Sequence, residues 1–170
     1  MPSGYPAAPG RGAYARRVSE QRAVAAVEAS GIDYEITRHG PVASLAEAAA
    51  SRGVEPREIV KTLVVRRADD DVVLVLVPGD RTFSWPKLRA VLGTSRLSMP
   101  DAAGALAATG YERGTITPFG STTPWPVVVD ASVTGRISLG AGAHGVAMTV
   151  DAADVVRVLD AQVADISDDA

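Results

Sequence analysis

Two stretches dominate the alternation of apolar and polar positions. Residues 59–67 (IVKTLVVRR) and 72–77 (VVLVLV) are nearly continuous runs of branched aliphatic side chains, parted by the acidic turn Ala68-Asp69-Asp70-Asp71. Such runs, too short for helices and rich in Val, predict the two strands of a hairpin in the middle of a sheet. Shorter strands are predicted at 32–37 (IDYEIT), 96–99 (RLSM), 127–130 (VVVD), 136–139 (RISL) and 146–150 (VAMTV). Helical spacing is found between them. Ser19 is read as an N-cap for a helix through Val24 and Val27 that Gly31 ends, and Ser44 with Glu47 forms a capping box for an Ala-rich helix closed by Gly53. Pro56 starts a short turn, Pro86 and Gly93 bracket a third helix, Asp101 and Gly110 a fourth, and Asp151 with Asp154 opens the last. About seven strands and five helices in mixed order, with hairpins as well as crossovers, imply a mixed α/β (α+β) domain.

Composition narrows this picture. At 170 residues the chain suits one domain, read here as a flexible leader over 1–18, a domain over 19–167 and an acidic tail over 168–170. Aromatic residues make up only 5%, so rows of base-stacking platforms are excluded. A net charge of −3 argues against a broad phosphate-binding surface but leaves room for contact with one end of a nucleic acid. There is no cysteine, which removes disulfides, thiolate catalysis and every Cys-containing metal site. No apolar run is long enough to span a membrane, and the N-terminus lacks a signal-peptide core, so a soluble, unexported protein is expected.

The candidate chemistry starts with Lys61. Of 17 basic residues only Lys61 and Lys87 are lysines, and Lys61 interrupts an apolar strand. An unpaired ammonium buried there would cost several kcal/mol, so it reaches an edge, a carboxylate such as Asp130, or a cavity where a ligand supplies oxygens. The second feature is the irregular segment 110–126, with Gly114, Thr115, Thr117, Pro118 and Gly120 near its centre. Gly admits close backbone approach to a ligand and Pro fixes the loop's shape, which suits presentation of amides to a developing oxyanion; a plain surface loop has the same composition. The third, Gly140-Ala141-Gly142-Ala143-His144-Gly145, matches G-x-G-x-x-G literally. The residues after it read as a strand rather than a helix, so it is a hairpin loop and not a dinucleotide site. His39 and His144 have no metal-ligand spacing, and no serine-hydrolase elbow is present, so neither metal nor cofactor is expected.

The order of these pieces is similar to one family. IVKTLVV at 59–65, VPGD at 77–80, GYERGTITPFG at 110–120, VVVD at 127–130, the Gly-rich 140–145 segment and VADIS at 163–167 resemble the YbaK family, the freestanding aminoacyl-tRNA deacylases related to the editing domain of bacterial prolyl-tRNA synthetases. The resemblance implies a strongly curved central mixed sheet flanked by helices. It also implies hydrolysis, in the cytoplasm, of the ester that joins a wrong amino acid to a tRNA 3′ end. Proline tRNA carrying Cys, Ala or another small residue is the expected substrate and prolyl-tRNA synthetase a further partner, with no role for DNA or membrane. Lys61 and Gly114 are then the catalytic pair, Lys61 holding the 3′ nucleotide and the 114–118 loop orienting the ester. Thr115, Pro118, Gly120, Asp130, Gly140, Gly142 and His39 are the substrate-binding candidates. Attack falls to water, a ribose hydroxyl or the substrate's own side chain. Cysteine-specific members carry Ser-Gly-Gly and Leu-Asp where this chain has Gly140-Ala141-Gly142 and Val146-Ala147. Alanine or another small residue is therefore as good a candidate as cysteine. A non-catalytic module that binds an aminoacyl or nucleotide ligand, or docks on a synthetase, is the alternative.

Overall fold

The computed structural model describes residues 10–170, and among them five α-helices and nine strands alternate in mixed order. In chain order these are α1 (Arg11–Ala29), β1 (Glu35–Arg38), α2 (Leu45–Arg52), a 3-10 turn (Pro56–Glu58), β2 (Val60–Ala68), β3 (Asp71–Pro78), β4 (Arg81–Phe83) and α3 (Trp85–Leu92). Then follow α4 (Ala102–Thr109), β5 (Val127–Asp130), β6 (Arg136–Gly140), β7 (Val146–Asp151), α5 (Ala152–Leu159), β8 (Gln162–Ala164) and β9 (Ser167–Asp169). No helix among the described residues is long and apolar enough to cross a membrane.

The predicted hairpin forms as β2 and β3, antiparallel with Lys61 opposite Val77 and Leu63 opposite Val75. β5 adds to β3 in parallel and β8 to β5 in parallel, giving the order β2-β3-β5-β8. Both faces of this sheet are covered. Val72, Leu74, Leu76, Val127 and Val129 pack into one core together with Ile137, Leu139 and Met148, while Val73, Val75, Val77 and Val128 pack into a second with Leu88 and Ile166. With alternate residues entering two separate cores, the apolar run of β3 needs no polar face. Sequestering roughly 25 cal/mol per Å² on each side makes this sheet the main store of hydrophobic stability.

The mixed α/β class stands, but the strands do not form one central sheet. β1, β7 and β6 form a separate antiparallel sheet, and β4 pairs with β9 in a two-stranded ribbon. A single parallel bridge, Ile59 to Ser138, joins the two larger sheets, because the 3-10 turn at Pro56–Glu58 delays β2 until Val60. The segment 96–99 is not a strand: only Ser98 pairs, with Arg66, before Pro100 ends the contact. The acidic C-terminus is ordered. Asp169 meets Arg81 at 2.6 Å, and Lys87 bridges Asp165 and Asp168, so the chain's second lysine is committed to holding the last strands.

Helix α1 begins eight residues before the N-cap read at Ser19. Part of the leader read over 1–18 lies outside the described residues, and the part from Arg11 on is helical. Ala and Arg in this stretch favour helix, and Ser19 is a mid-helix residue whose hydroxyl reaches the Arg16 carbonyl at 3.0 Å and the Gly142 carbonyl at 2.7 Å. Half of the predicted capping box forms at α2: Ser44 Oγ accepts the Glu47 N–H, while the Glu47 carboxylate accepts the N–H of Ala43 instead of Ser44, and Gly53 closes the helix at φ 67°. Arg52, in the last turn of α2, reaches the Ile59–Ser138 junction through Nη1, 3.3 Å from the Ser138 hydroxyl.

Candidate functional site

Two cavities open where that junction meets the Gly-rich loops. The first, of about 510 Å³, lies along β2: Lys61, Thr62, Leu63 and Val64 form one wall, Met99, Pro100 and Ala105 a second, and Arg113, Gly114, Ile116 and Gly140 the third. The second, of about 430 Å³, is bounded by residues 39–42, by Ala143, His144, Gly145 and Val146, and again by Gly114. Arg52 and Gly114 border both cavities, so the two meet along these residues. Each volume falls in the range of small-ligand sites.

Lys61 escapes burial at an edge and beside a cavity, and it meets no carboxylate among the described residues. β2 is the edge strand of its sheet, and Lys61 is exposed at its start, bordering the first cavity. It has no ion pair; neither do Arg52 and Arg113, and no carboxylate lines either cavity among the described residues. In an acidic protein, three unpaired cations around one opening make a local anion trap. Four buried side-chain polar atoms among the described residues lack a hydrogen-bond partner within the protein. Three of them, His39 Nε2, Arg52 Nε and Thr62 Oγ1, belong to residues that line these cavities. Orphaned buried polar groups are rare in folded proteins, and three of the four fall beside these cavities.

The sequence candidates divide into two groups. Lys61, Gly114, Gly140 and His39 line the cavities. Gly114 is exposed at the apex of a turn at φ 87°, a conformation that admits Gly readily, and a Cβ there would meet His144 at 3.4 Å. His39 is fixed by its own N–H to the Gly145 carbonyl and by Nδ1 at 2.8 Å from the Gly40 carbonyl.

Thr115, Pro118, Gly120 and Gly142 line neither cavity and make contacts within the protein. The Thr115 hydroxyl donates to the Glu112 carbonyl at 2.7 Å, its own carbonyl accepts the Gly142 N–H at 3.0 Å, and Pro118 is buried. Gly120 packs on α1, where its carbonyl accepts Arg22 Nε at 2.6 Å. These contacts hold the 110–120 loop in place. Arg22 was missed in the sequence. It also reaches the Gly110 carbonyl at 2.8 Å and lies 4.5 Å over the Tyr111 ring, clamping the loop from α1.

Asp130 is likewise no partner of Lys61. It is 1% exposed and accepts hydrogen bonds from the Ile166 N–H at 2.9 Å, the Ser132 N–H at 3.1 Å and the Ser132 hydroxyl. Burial pushes its carboxyl up, but the bonds from Ser132, Ile166 and Ser167 outweigh this and hold it below the ordinary Asp value. A depressed folded value means that Asp130 contributes stability above pH 4 or so, lost progressively as pH falls through the folded value. Asp130→Asn sets an amide N–H₂ against groups that already donate. It is expected to cost about 2–3 kcal/mol at pH 7 and to lower Tm by about 4–10 °C. The variant should also show a shallower loss of stability under acid, checked by thermal melts from pH 7 to pH 3. Activity of the folded variant should be unchanged; a deacylation defect without a stability defect would return Asp130 to the site.

Arg52 is the other residue that sequence reasoning missed. An arginine in the last turn of a helix is ordinarily read as complementing the helix dipole, and only the meeting of α2, β2 and β6 shows what it borders.

Known proteins are similar to this chain in sequence and fold. Over 101 residues the chain is 34% identical to a proline–tRNA ligase of a Geobacter species, covering 59% of this chain but 18% of the ligase. It therefore spans less than a fifth of that relative. It is 27% identical over 137 residues to a candidate Cys-tRNA(Pro)/Cys-tRNA(Cys) deacylase, EbsC, of Enterococcus faecalis, covering 79% of this chain and 84% of that one. The crystal structure of a candidate trans-editing enzyme for prolyl-tRNA synthetase shares the fold, with a TM-score of 0.79 at 24% identity over 88% of this chain and 97% of that one. Residues 39–158, which hold Lys61, Gly114, Gly140, Arg52 and His39, match the model of the aminoacyl-tRNA editing domain, and the chain belongs to that family.

Proposed function

We propose that this editing-domain protein is an aminoacyl-tRNA deacylase acting in trans, which hydrolyses the ester between a small amino acid and the 3′ end of proline tRNA. The observation that carries the reading is the pair of cavities meeting at Arg52 and Gly114, bordered, among the described residues, by three unpaired cations and no carboxylate. Similarity to a candidate deacylase over 84% of that protein's length supports action apart from a ligase body.

In this reading Lys61 anchors the terminal nucleotide as a compact cation with three donors. The Gly114 turn, clamped through Thr115 to Gly142, orients the ester with little reorganisation. Water attacks the ester carbonyl carbon, either directly or after the neighbouring ribose hydroxyl has taken over the acyl group as a new ester. The bond from that carbon to the ribose oxygen then breaks, the ribose oxygen takes the proton that the water gives up, and the free amino acid leaves a tRNA with an unmodified 3′ terminus. The aliphatic wall of Leu63, Val64, Met99 and Ile116 suits a small apolar side chain. Prolyl-tRNA synthetase is a further partner, which would supply the mischarged tRNA.

The test is deacylation of alanyl-, cysteinyl- and seryl-tRNA on proline and on cognate tRNA bodies. Hydrolysis of the alanyl ester on proline tRNA, with prolyl-tRNA left intact, is expected. No hydrolysis across the panel would overturn the reading, and retained affinity for the acceptor end would then identify a binding module.

A further inference from the structure

We propose that Arg52 is the phosphate receptor of the site, taking the phosphodiester that joins the last two nucleotides of the tRNA across the meeting line of the two cavities. The inference rests on the deacylase reading and adds to it where the strand lies. The terminal nucleoside with its aminoacyl group occupies the cavity bordered by Lys61, and the penultimate nucleotide lies in the one bordered by His39.

Three observations lead there. First, Arg52 borders both cavities, a position that among the described residues only Gly114 shares. Second, its guanidinium has no carboxylate partner among the described residues. One nitrogen, Nη1, is 3.3 Å from the Ser138 hydroxyl, and Nε is buried with no acceptor in the protein. Burial draws its pKa down and no neighbouring charge opposes this. A half-buried guanidinium held without a counter-charge is costly unless a ligand supplies one. Third, the chemistry of the substrate narrows the choice. In an aminoacyl-tRNA 3′ end the carboxyl of the amino acid is esterified and its amino group is neutral or cationic, so with a small apolar amino acid the only anions are phosphodiesters. The planar fork of Arg matches two phosphate oxygens, which a lysine at the same place could not do.

The experiment uses the full chain with three short esters: an amino acid on adenosine, on the dinucleotide CpA, and on CpA whose phosphodiester is replaced by an uncharged methylphosphonate. Arg52→Gln is expected to lower kcat/KM on the CpA ester about 10–100-fold, mainly through KM, and to leave the adenosine ester unchanged. The methylphosphonate should cost the wild type a similar factor and cost Arg52→Gln nothing further, as expected when two changes remove one interaction. Arg52→Lys should fall between. A structural arginine would lower Tm when replaced, whereas Arg52→Gln removes an uncompensated charge and should melt at or above the wild type.

Equal loss on the adenosine and CpA esters would place Arg52 on the aminoacyl group or nucleoside and overturn the proposal, as would no loss on CpA. If the wild type hydrolyses none of the esters, the deacylase reading fails by itself. Equilibrium titration with unacylated CpA and adenosine then reads Arg52 independently, and the proposal requires weaker CpA binding by Arg52→Gln with adenosine binding unaltered.

Discussion

Lys61→Ala is expected to reduce kcat/KM for deacylation at least about 100-fold and to leave Tm where it is. The activity loss corresponds to about 2.7 kcal/mol, the scale of charge-assisted hydrogen bonds to substrate oxygens in a partly desolvated site. The stability half of the prediction follows from position. Lys61 is exposed on an edge strand, pairs with no carboxylate and lies outside both cores, so its removal opens no cavity and strands no buried charge. Lys61→Arg should recover only part of the activity, because a broad planar guanidinium cannot occupy the place of a compact ammonium. Initial-rate measurements on misacylated proline tRNA, alongside melting curves, check both halves. An undiminished rate would remove Lys61 from the mechanism, and a fall in Tm would make it a structural residue.

How far the sequence showed this site depended on the range of the contacts involved. The β2–β3 hairpin was legible because two apolar runs flank an acidic turn, a signal confined to 20 residues. That β2 is an edge strand was not legible, since strand order depends on β5 and β8, far along the chain. Of the edge, carboxylate and cavity positions open to Lys61 on sequence alone, the strand order selects an exposed edge beside a cavity. The Gly-rich 140–145 segment was correctly kept from a dinucleotide reading, because β7 follows it directly. Gly120 and Gly142 drew attention for their flexibility and were assigned to substrate, yet their lack of a side chain serves close packing on α1. β4 and β9 were missed because each has only three residues and each finds its partner more than 80 residues away. Arg52 and Arg22 gave no local signal. An arginine on a helix looks solvent-bound until the surface it faces is known.

Gly142→Ala is expected to lower Tm by about 5–15 °C and to depress activity even where the variant is folded. Gly142 has φ 84°, and a Cβ there would lie 2.6 Å from the Ser19 carbonyl oxygen and 2.9 Å from Tyr111 Cε1. The left-handed conformation costs a non-glycine residue about 1–2 kcal/mol. Driving a methyl group into the backbone of α1 adds about 1–3 kcal/mol by analogy with overpacked cores, and about 2–5 kcal/mol together gives the stated fall for a chain of this size. The activity effect has a separate cause. Gly142 donates its N–H to the Thr115 carbonyl and accepts the Ser19 hydroxyl, so moving it loosens the turn that presents Gly114 between the two cavities. Gly31→Ala separates the two contributions: Gly31 has φ 78° but nothing within 4 Å of its added Cβ, so it should show the conformational cost alone and keep full activity. If Gly142→Ala proved no less stable than Gly31→Ala, and equally active, the close approach to α1 would not be what positions the loop.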